Sequence, residues 1–442
     1  MFRPVSSKAN FVQIEEKILD LWKKNNIFKR SIDRREGSPR FVLYEGPPTA
    51  NGNPGIHHVL SRVFKDVIPR YKAMKGYYTP RIAGWDTHGL PVELEVEKQL
   101  GFSSKVQIEE YGVNRFNARC RDSVFRYLKE WNALTERIAF WIDLEHAYIT
   151  MDNKYIETCW WAIKQMWDRR LVYQGYRVTP HCPRCGTSLS SHEVALGYQD
   201  NIEDPSIYIK FKVVLSPISE FEQQKKLYGL SREKPTYLLA WTTTPWTLPG
   251  NTALAVSADA EYTVVEVGNE YLILASARLE PLGLGDCEVL ERLRGSDLAT
   301  GTGVNYEPLF NPHDFGVERQ RFQENSALQS QAAEKKLTYR VIGGDFVSME
   351  DGTGIVHIDP AYGEVDYEAG QANGLDFVHM VDLQGKITGS YPFSGKFVKD
   401  ADPLVLEELT KKNLLYRSEK IRHTYPFCWR STPKSWGLNN GS

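Results

Sequence analysis

The chain has 442 residues, a length that predicts two or three domains. Its 54 basic and 56 acidic residues leave a net charge of −2, which excludes a polycation and confines any nucleic-acid contact to local basic patches. No apolar run approaches a membrane span, and six unevenly spaced cysteines favour thiols or a metal in a reducing compartment over a disulfide frame. The expectation is a cytoplasmic protein with no membrane partner.

In chain order, Asn10 stands before an amphipathic helix, Phe11–Trp22, that runs out in Lys23 and Lys24. Residues 1–100 alternate strand and helix, as in the first half of a doubly wound α/β sheet. The strand Phe41–Tyr44 enters a Gly/Pro/Asn loop that delivers His57 and His58 to the first turn of a helix. That helix reads from Leu60, Val63, Phe64, Val67 and Ile68 and is predicted to stop near Pro69. A second strand leads Asp86 and His88 into a Gly-flanked loop, followed by another helix. Residues 104–170 are predicted helical, from Phe116, Cys120, Val124, Tyr127 and Trp131 and then Trp160, Ile163, Met166 and Trp167.

From about Pro205 the texture changes. SIYIKFKVV, TYLLAW, TALAVS, YTVVEV, YLILAS, YRVIGGDFVS and TGIVHI are short β-branched or alternating runs separated by turn residues. They predict a β-rich, barrel-like insert reaching residue 395. Val317–Lys336 reads as helix or loop, and helical text returns at Asp402–Lys412. The expected division is 1–200, 201–395 and 396–442.

A strand–loop–helix with free backbone N–H groups at the positive end of a helix dipole suits anions, phosphates above all. Imidazoles there can donate to a phosphoryl group as its charge grows. A carboxylate at the end of the neighbouring strand, Asp86, can hold an ammonium group. Phosphate plus ammonium suggests an amino acid meeting a nucleotide. Cys182 and Cys185, in PHCPRCGTSLSSHE, form a CxxC knuckle, half of a tetrahedral zinc site. Cys428 supplies a third thiolate. The fourth position stays open among Ser431, a poor ligand, and His181, His192 or His423, and a weak or empty site is the alternative. Cys120, Cys159 and Cys287 read as core or surface thiols.

PPTANG before the His-bearing helix, GWDTHGLPVE, WTTTPWTLPGN, GTGIVHIDPAYGEVDY and HTYPFCWR together cover nearly the whole chain. This text resembles the N-terminal part of the class I aminoacyl-tRNA synthetases, in their isoleucine-specific branch. Valyl and leucyl members carry different text at the second motif. The resemblance implies a Rossmann-like catalytic domain split by an inserted editing domain, with ATP, Mg2+, isoleucine and its tRNA as ligands, in a monomer. It places Gly46, Pro47, Asp86 and His88 at the amino acid, Gly55, His57 and His58 at ATP, and His57 and His58 in catalysis. Thr242, Thr243, Thr244, His357 and Asp366 match the editing residues, which would hydrolyse mischarged valyl-tRNA by water attack.

Two departures stand out. The family's His-x-Gly-His appears here as Gly55-Ile56-His57-His58, with the first His and the Gly exchanged. Either adenine sits differently or His57 turns aside into the loop, and the expectation is a variant, working site. The family's second catalytic half, with its Lys-rich loop, and its anticodon-binding helices have no counterpart in this text, so a fragment unable to aminoacylate is expected. A stand-alone aminoacyl-tRNA deacylase and a ligand-binding fragment without turnover are the rival readings.

Overall fold

The computed structural model describes residues 8–49, 52–195, 197–214, 222–301, 304–323, 327–331, 339–428 and 439–440. The chain divides into two compact units, Met1–Tyr173 and Gln174–Ser442. The boundary therefore falls at 173/174, ahead of the expected 200/201, and the expected return segment from 396 belongs to the second unit.

The first unit opens on the helix Phe11–Lys24, whose Asn10 side chain accepts from the Gln13 N–H at 3.2 Å, a standard N-cap. Its sheet has three parallel strands in the order Leu43–Tyr44, Arg81–Trp85, Asp143–Ile149. The third strand corrects the all-helical expectation for 104–170. Its text, DLEHAYI, carries only a weak alternation, and packing of Leu144 and Ala147 against the clusters of buried Ala83 and Trp85 decides it. The helix after the first loop runs from Ile56 to Met74, straight through Pro69. Pro69 and Ala73 are buried, so packing outweighs the proline's lost hydrogen bond, and the predicted stop there is wrong.

In the second unit the β-rich texture becomes one large sheet. Thr236–Thr242 pairs with Tyr198–Val214 on one side and Ile355–Ile358 on the other. Ala253–Val256, Arg340–Gly343 and Asn305–Tyr306 complete the circuit back to Tyr198–Val214, closing a six-stranded barrel. Glu270–Ala275, Glu261–Val267 and Val289–Arg294 extend from the first half of Thr236–Thr242 as a flap. The strand Leu415–Pro426 lies along Tyr198–Val214. Leu238 and Ala240 face one apolar core and Leu239 the other, which is why TYLLAW is an unbroken apolar run. Gln320–Phe322 and Leu328–Ser330 form a small hairpin where helix or loop was expected; 324–326 and 332–338 lie outside the described residues. The last helix runs Val398–Lys411. No described helix is long and apolar enough to cross a membrane.

Gly84 sits where a Cβ would meet the Tyr148 ring at 2.3 Å, and the Tyr148 hydroxyl donates to the Glu45 carbonyl. Gly84→Ala is expected to displace Tyr148 and to cost about 1–3 kcal/mol by overpacking. Urea unfolding followed by circular dichroism measures it, and an unchanged midpoint would refute this packing.

Candidate functional site

The parallel strands of the first unit bring its sequence-predicted residues to one edge. The Glu45 N–H donates to Ile82 O at 2.9 Å, the Asp86 N–H to Pro48 O at 2.9 Å, and the Thr150 N–H to Trp85 O at 3.1 Å. The loop carrying Gly46 and Pro47 thus runs beside Asp86. Thr150 anchors the second motif: its hydroxyl is 2.8 Å from His88 Nδ1, 3.2 Å from Thr87 Oγ1, and accepts from the Thr87 N–H. His88 lies 3.7 Å from the Asp86 carboxylate and lines a cavity of about 290 Å³ with Glu93 and Phe116.

His58 Nδ1 accepts from the Gly55 N–H at 2.9 Å. That bond leaves the neutral ring's proton on Nε2, a donor at the helix start. Partial burial, then neighbouring His57, Arg62 and Lys65, lower the His58 pKa and favour this neutral form. The rings of His57 and His58 are 3.8 Å apart, and His58 meets Trp131 edge-on at 4.6 Å. His57 is folded back over Gly55, its ring atoms 2.8 and 2.9 Å from where a Cβ would stand. The His57 ring thus lies against the last residue of the loop. Beneath the site Arg62 is buried against Trp131, hydrogen-bonds Thr135 and lies 3.4 Å from the equally buried Glu45.

The second unit holds a cavity of about 240 Å³ lined by Thr242, Thr243, Thr244, His357 and Asp366. All five sequence-predicted residues therefore meet. The pairing of Val356 with Trp241 is parallel, so Thr242 and His357 leave their strands at the same end. Thr242 and Thr244 hydroxyls are 3.2 Å apart, and Thr244 is 3.4 Å from Thr247. Thr247 Oγ1 lies 3.0 Å from His357 Nε2. Burial pushes His357 down to about 4, so its ring is neutral, and Nδ1 finds no partner among the described residues. Asp366 Oδ1 accepts from the Asp359 N–H at 2.9 Å, and burial pushes its carboxyl up to about 6.

Sequence reading missed Thr247, Asp359 and Tyr362, which share this lining. Asp359 is fully enclosed and raised well above the carboxylate range, by burial and then by Asp366. Its Oδ2 occupies the space beside Gly250, 2.3 Å from where a Cβ would lie. The available signal was position, because Asp359 follows His357 by two residues in the same motif. In the first unit Arg62, Trp131 and Thr150 were missed for want of any motif.

Cys182, Cys185 and Cys428 are buried with their sulfurs within 4.8 Å of one another. Gly186, at φ +61°, donates to the Cys182 carbonyl and closes the knuckle. Contacts with Cys182 and Cys428, then burial, raise the Cys185 thiol pKa. His181 Nε2 bonds the Leu383 carbonyl at 2.9 Å and its buried Nδ1 has no hydrogen-bond partner among the described residues, while His423 is committed to Asp204 at 2.9 Å; the cluster of mutually close ligand atoms contains the three sulfurs and neither imidazole. The His192 side chain and Ser431 lie outside the described residues.

Residues 17–359 match the family model for tRNA synthetases class I (I, L, M and V). An isoleucine–tRNA ligase of Dehalococcoides mccartyi is 61% identical over 97% of this chain and 42% of its own length. Enzymes of the same name from Clostridium novyi and Thermus thermophilus are each 47% identical, with 38% and 39% of their lengths covered. The chain thus spans about two fifths of the curated relatives it matches. A solved chain described as GlLeuRS-CP1 aligns at TM-score 0.36 and 17% identity, covering 48% of this chain and 98% of that one.

His357, at about 4 when folded against an ordinary 6.5, withdraws stability as pH falls from 6.5 toward 4, up to about 3 kcal/mol. Asp366, raised from 3.8 to about 6, acts oppositely and adds stability over the acid part of that window. His357→Gln should therefore lose less stability than wild type between pH 6.5 and 4.5. Denaturation at the two pH values tests this, and parallel losses would contradict a buried neutral His357.

Proposed function

The chain belongs to the class I tRNA synthetases (I, L, M and V), and on that premise we propose that it carries the activating and editing sites of an isoleucine–tRNA ligase. The observation that carries the reading is the meeting of Thr242, Thr243, Thr244, His357 and Asp366 around one small cavity. A hydrophobic pocket rejects a side chain one methylene smaller only weakly; isoleucine against valine is the standard worked case, at roughly 150-fold. A second, hydrolytic site that admits valine and excludes isoleucine answers that limit.

In this reading the Asp366 carboxylate holds the free α-ammonium of a valyl ester. The threonine hydroxyls, linked from Thr242 through Thr244 to Thr247, hold the terminal ribose and the attacking water. His357, neutral and tied to Thr247, walls off the larger side chain. Water attacks the ester carbonyl, the ribose oxygen departs with a proton, and valine leaves. Among the described residues no Ser-His-Asp arrangement lines the cavity, and the reading takes water, not a threonine hydroxyl, as the nucleophile.

In the first unit, proposed as the first half of a split, doubly wound catalytic domain, Asp86 holds the isoleucine ammonium. The Gly46–Pro47 backbone closes on the side chain. ATP, with Mg2+, lies across the N-terminus of Ile56–Met74. His58 Nε2–H donates to the α-phosphate as the isoleucine carboxylate attacks phosphorus and the bond to the β-phosphate breaks, releasing pyrophosphate, a task of position and charge more than proton transfer. The editing cavity lies wholly within the second unit, which favours, as a second reading, deacylation by this chain independent of aminoacylation.

The three sulfurs fit zinc's preference for thiolates. Cys182, Cys185 and Cys428 would hold the ion, whose contribution is structural. Cobalt(II) titration of the apoprotein is expected to give thiolate-to-metal absorption, abolished in Cys182→Ser; an identical spectrum from the variant would reject the site.

Deacylation of valyl-tRNA specific for isoleucine tests the main reading. Asp366→Ala should lower kcat/KM about a hundredfold, the scale of one lost charged contact. Wild-type kcat/KM should fall on acidification through about pH 6 as Asp366 protonates. Equal rates for wild type and variant would sink the assignment.

A further inference from the structure

We propose that a second, aromatic cavity in the same unit is a subsite for the base of the nucleotide that precedes the terminal adenosine of a bound tRNA. The proposal rests on the threonine cavity receiving that adenosine's ester. The aromatic cavity has a volume of about 450 Å³ and is lined by Tyr176, Arg177, Tyr367, Phe377 and His379, among others. None of these residues has a part in the hydrolytic chemistry.

The two cavities share one turn. Asp359 and Tyr362 line the threonine cavity, whereas Pro360 and Ala361, between them in sequence, line the aromatic one. Asp366 faces the first and its neighbour Tyr367 the second. Tyr362 and His379, one from each lining, have ring centroids 5.7 Å apart. The two linings are thus separated by no more than one turn and one pair of facing rings.

The lining suits a base and little else that accompanies an adenosine. Phe377 and His379 present near-parallel rings, 14° apart in plane with centroids at 6.5 Å. Tyr176 is tilted by 44° against Phe377 at 5.8 Å, and Tyr367 stands edge-on to it. Flat aromatic faces stack any base and read no sequence. Arg177, exposed beside Tyr176, supplies a guanidinium for the intervening phosphate. Glu318, a carboxylate in this lining, is engaged by the Ser330 hydroxyl. Gln320 adds a side-chain amide that can donate and accept at a base edge.

The test compares two substrates on the full chain: 3′-O-valyl adenosine and the 3′-valyl ester of the trinucleotide CCA. Wild type should cleave the trinucleotide ester with kcat/KM at least tenfold higher, the gain lying in KM, as one stacked base supplies. Tyr367→Leu and Arg177→Ala should erase most of that advantage and leave the adenosine ester unaffected. Tyr367→Phe should retain it. Tyr367 also packs on Phe322, so Arg177→Ala, at an exposed position, guards against a folding defect. Equal rates on both esters in wild type, or an advantage untouched by both variants, would overturn the subsite. If neither ester is cleaved, the hydrolytic reading fails on its own. The subsite is then decided by equilibrium binding of unesterified CCA against adenosine, where tighter binding lost in the variants supports it and equal binding refutes it.

Discussion

Parallel pairing between strands far apart in sequence is the constraint on which both sites depend. Strands that run the same way end at the same edge, so residues that follow them meet without any local signal. In the first unit Leu43–Tyr44, Arg81–Trp85 and Asp143–Ile149 end together, and Glu45, Asp86 and Thr150 emerge side by side. In the second, Thr236–Thr242 and Ile355–Ile358 end together, and Thr242 meets His357 across more than a hundred residues. This is the general position for ligands in parallel α/β sheets, and the barrel reproduces it where Thr236–Thr242 runs parallel to Ile355–Ile358.

Barrel closure makes that pair rigid. Thr236–Thr242 is bonded along both edges, so its end cannot fray. The turn that follows is braced from outside: the Trp246 N–H donates to Asp402 at 2.9 Å, within the short helical turn Pro245–Gly250 that carries Thr247. Burial then sets the electrostatics. His357 is held neutral and the Asp359 carboxyl is raised well above its ordinary range, while Asp366, raised only to about 6, stays largely ionised at neutral pH. Around His58 the same physics acts more gently, through partial burial and nearby cations.

Much of this was legible in the sequence. The β-branched runs from Pro205 onward became strands nearly one for one, because strand propensity and turn residues agree locally. The candidate residues carried by family motifs, from His58 and Asp86 to the threonines and Asp366, stand in the sequence text itself. What escaped had no motif. Arg62, Trp131, Thr150, Thr247 and Tyr362 act only through neighbours brought by folding. The strand Asp143–Ile149 and the helix running through Pro69 escaped because tertiary burial overruled local preference.

By itself the sequence determined which chemistry is present: two imidazoles at a helix start, a carboxylate after a strand, three threonines, a His–Asp pair and a cysteine knuckle. These are local facts of residue type and spacing. Tertiary structure alone decided which of them share a cavity, that His57 folds over Gly55, and that Asp359 and Gly250 fit one another. It also decided that an aromatic cavity adjoins the threonines. The reason is that contact between distant residues, and the desolvation that sets their charge, exists only once strands pair and the barrel closes.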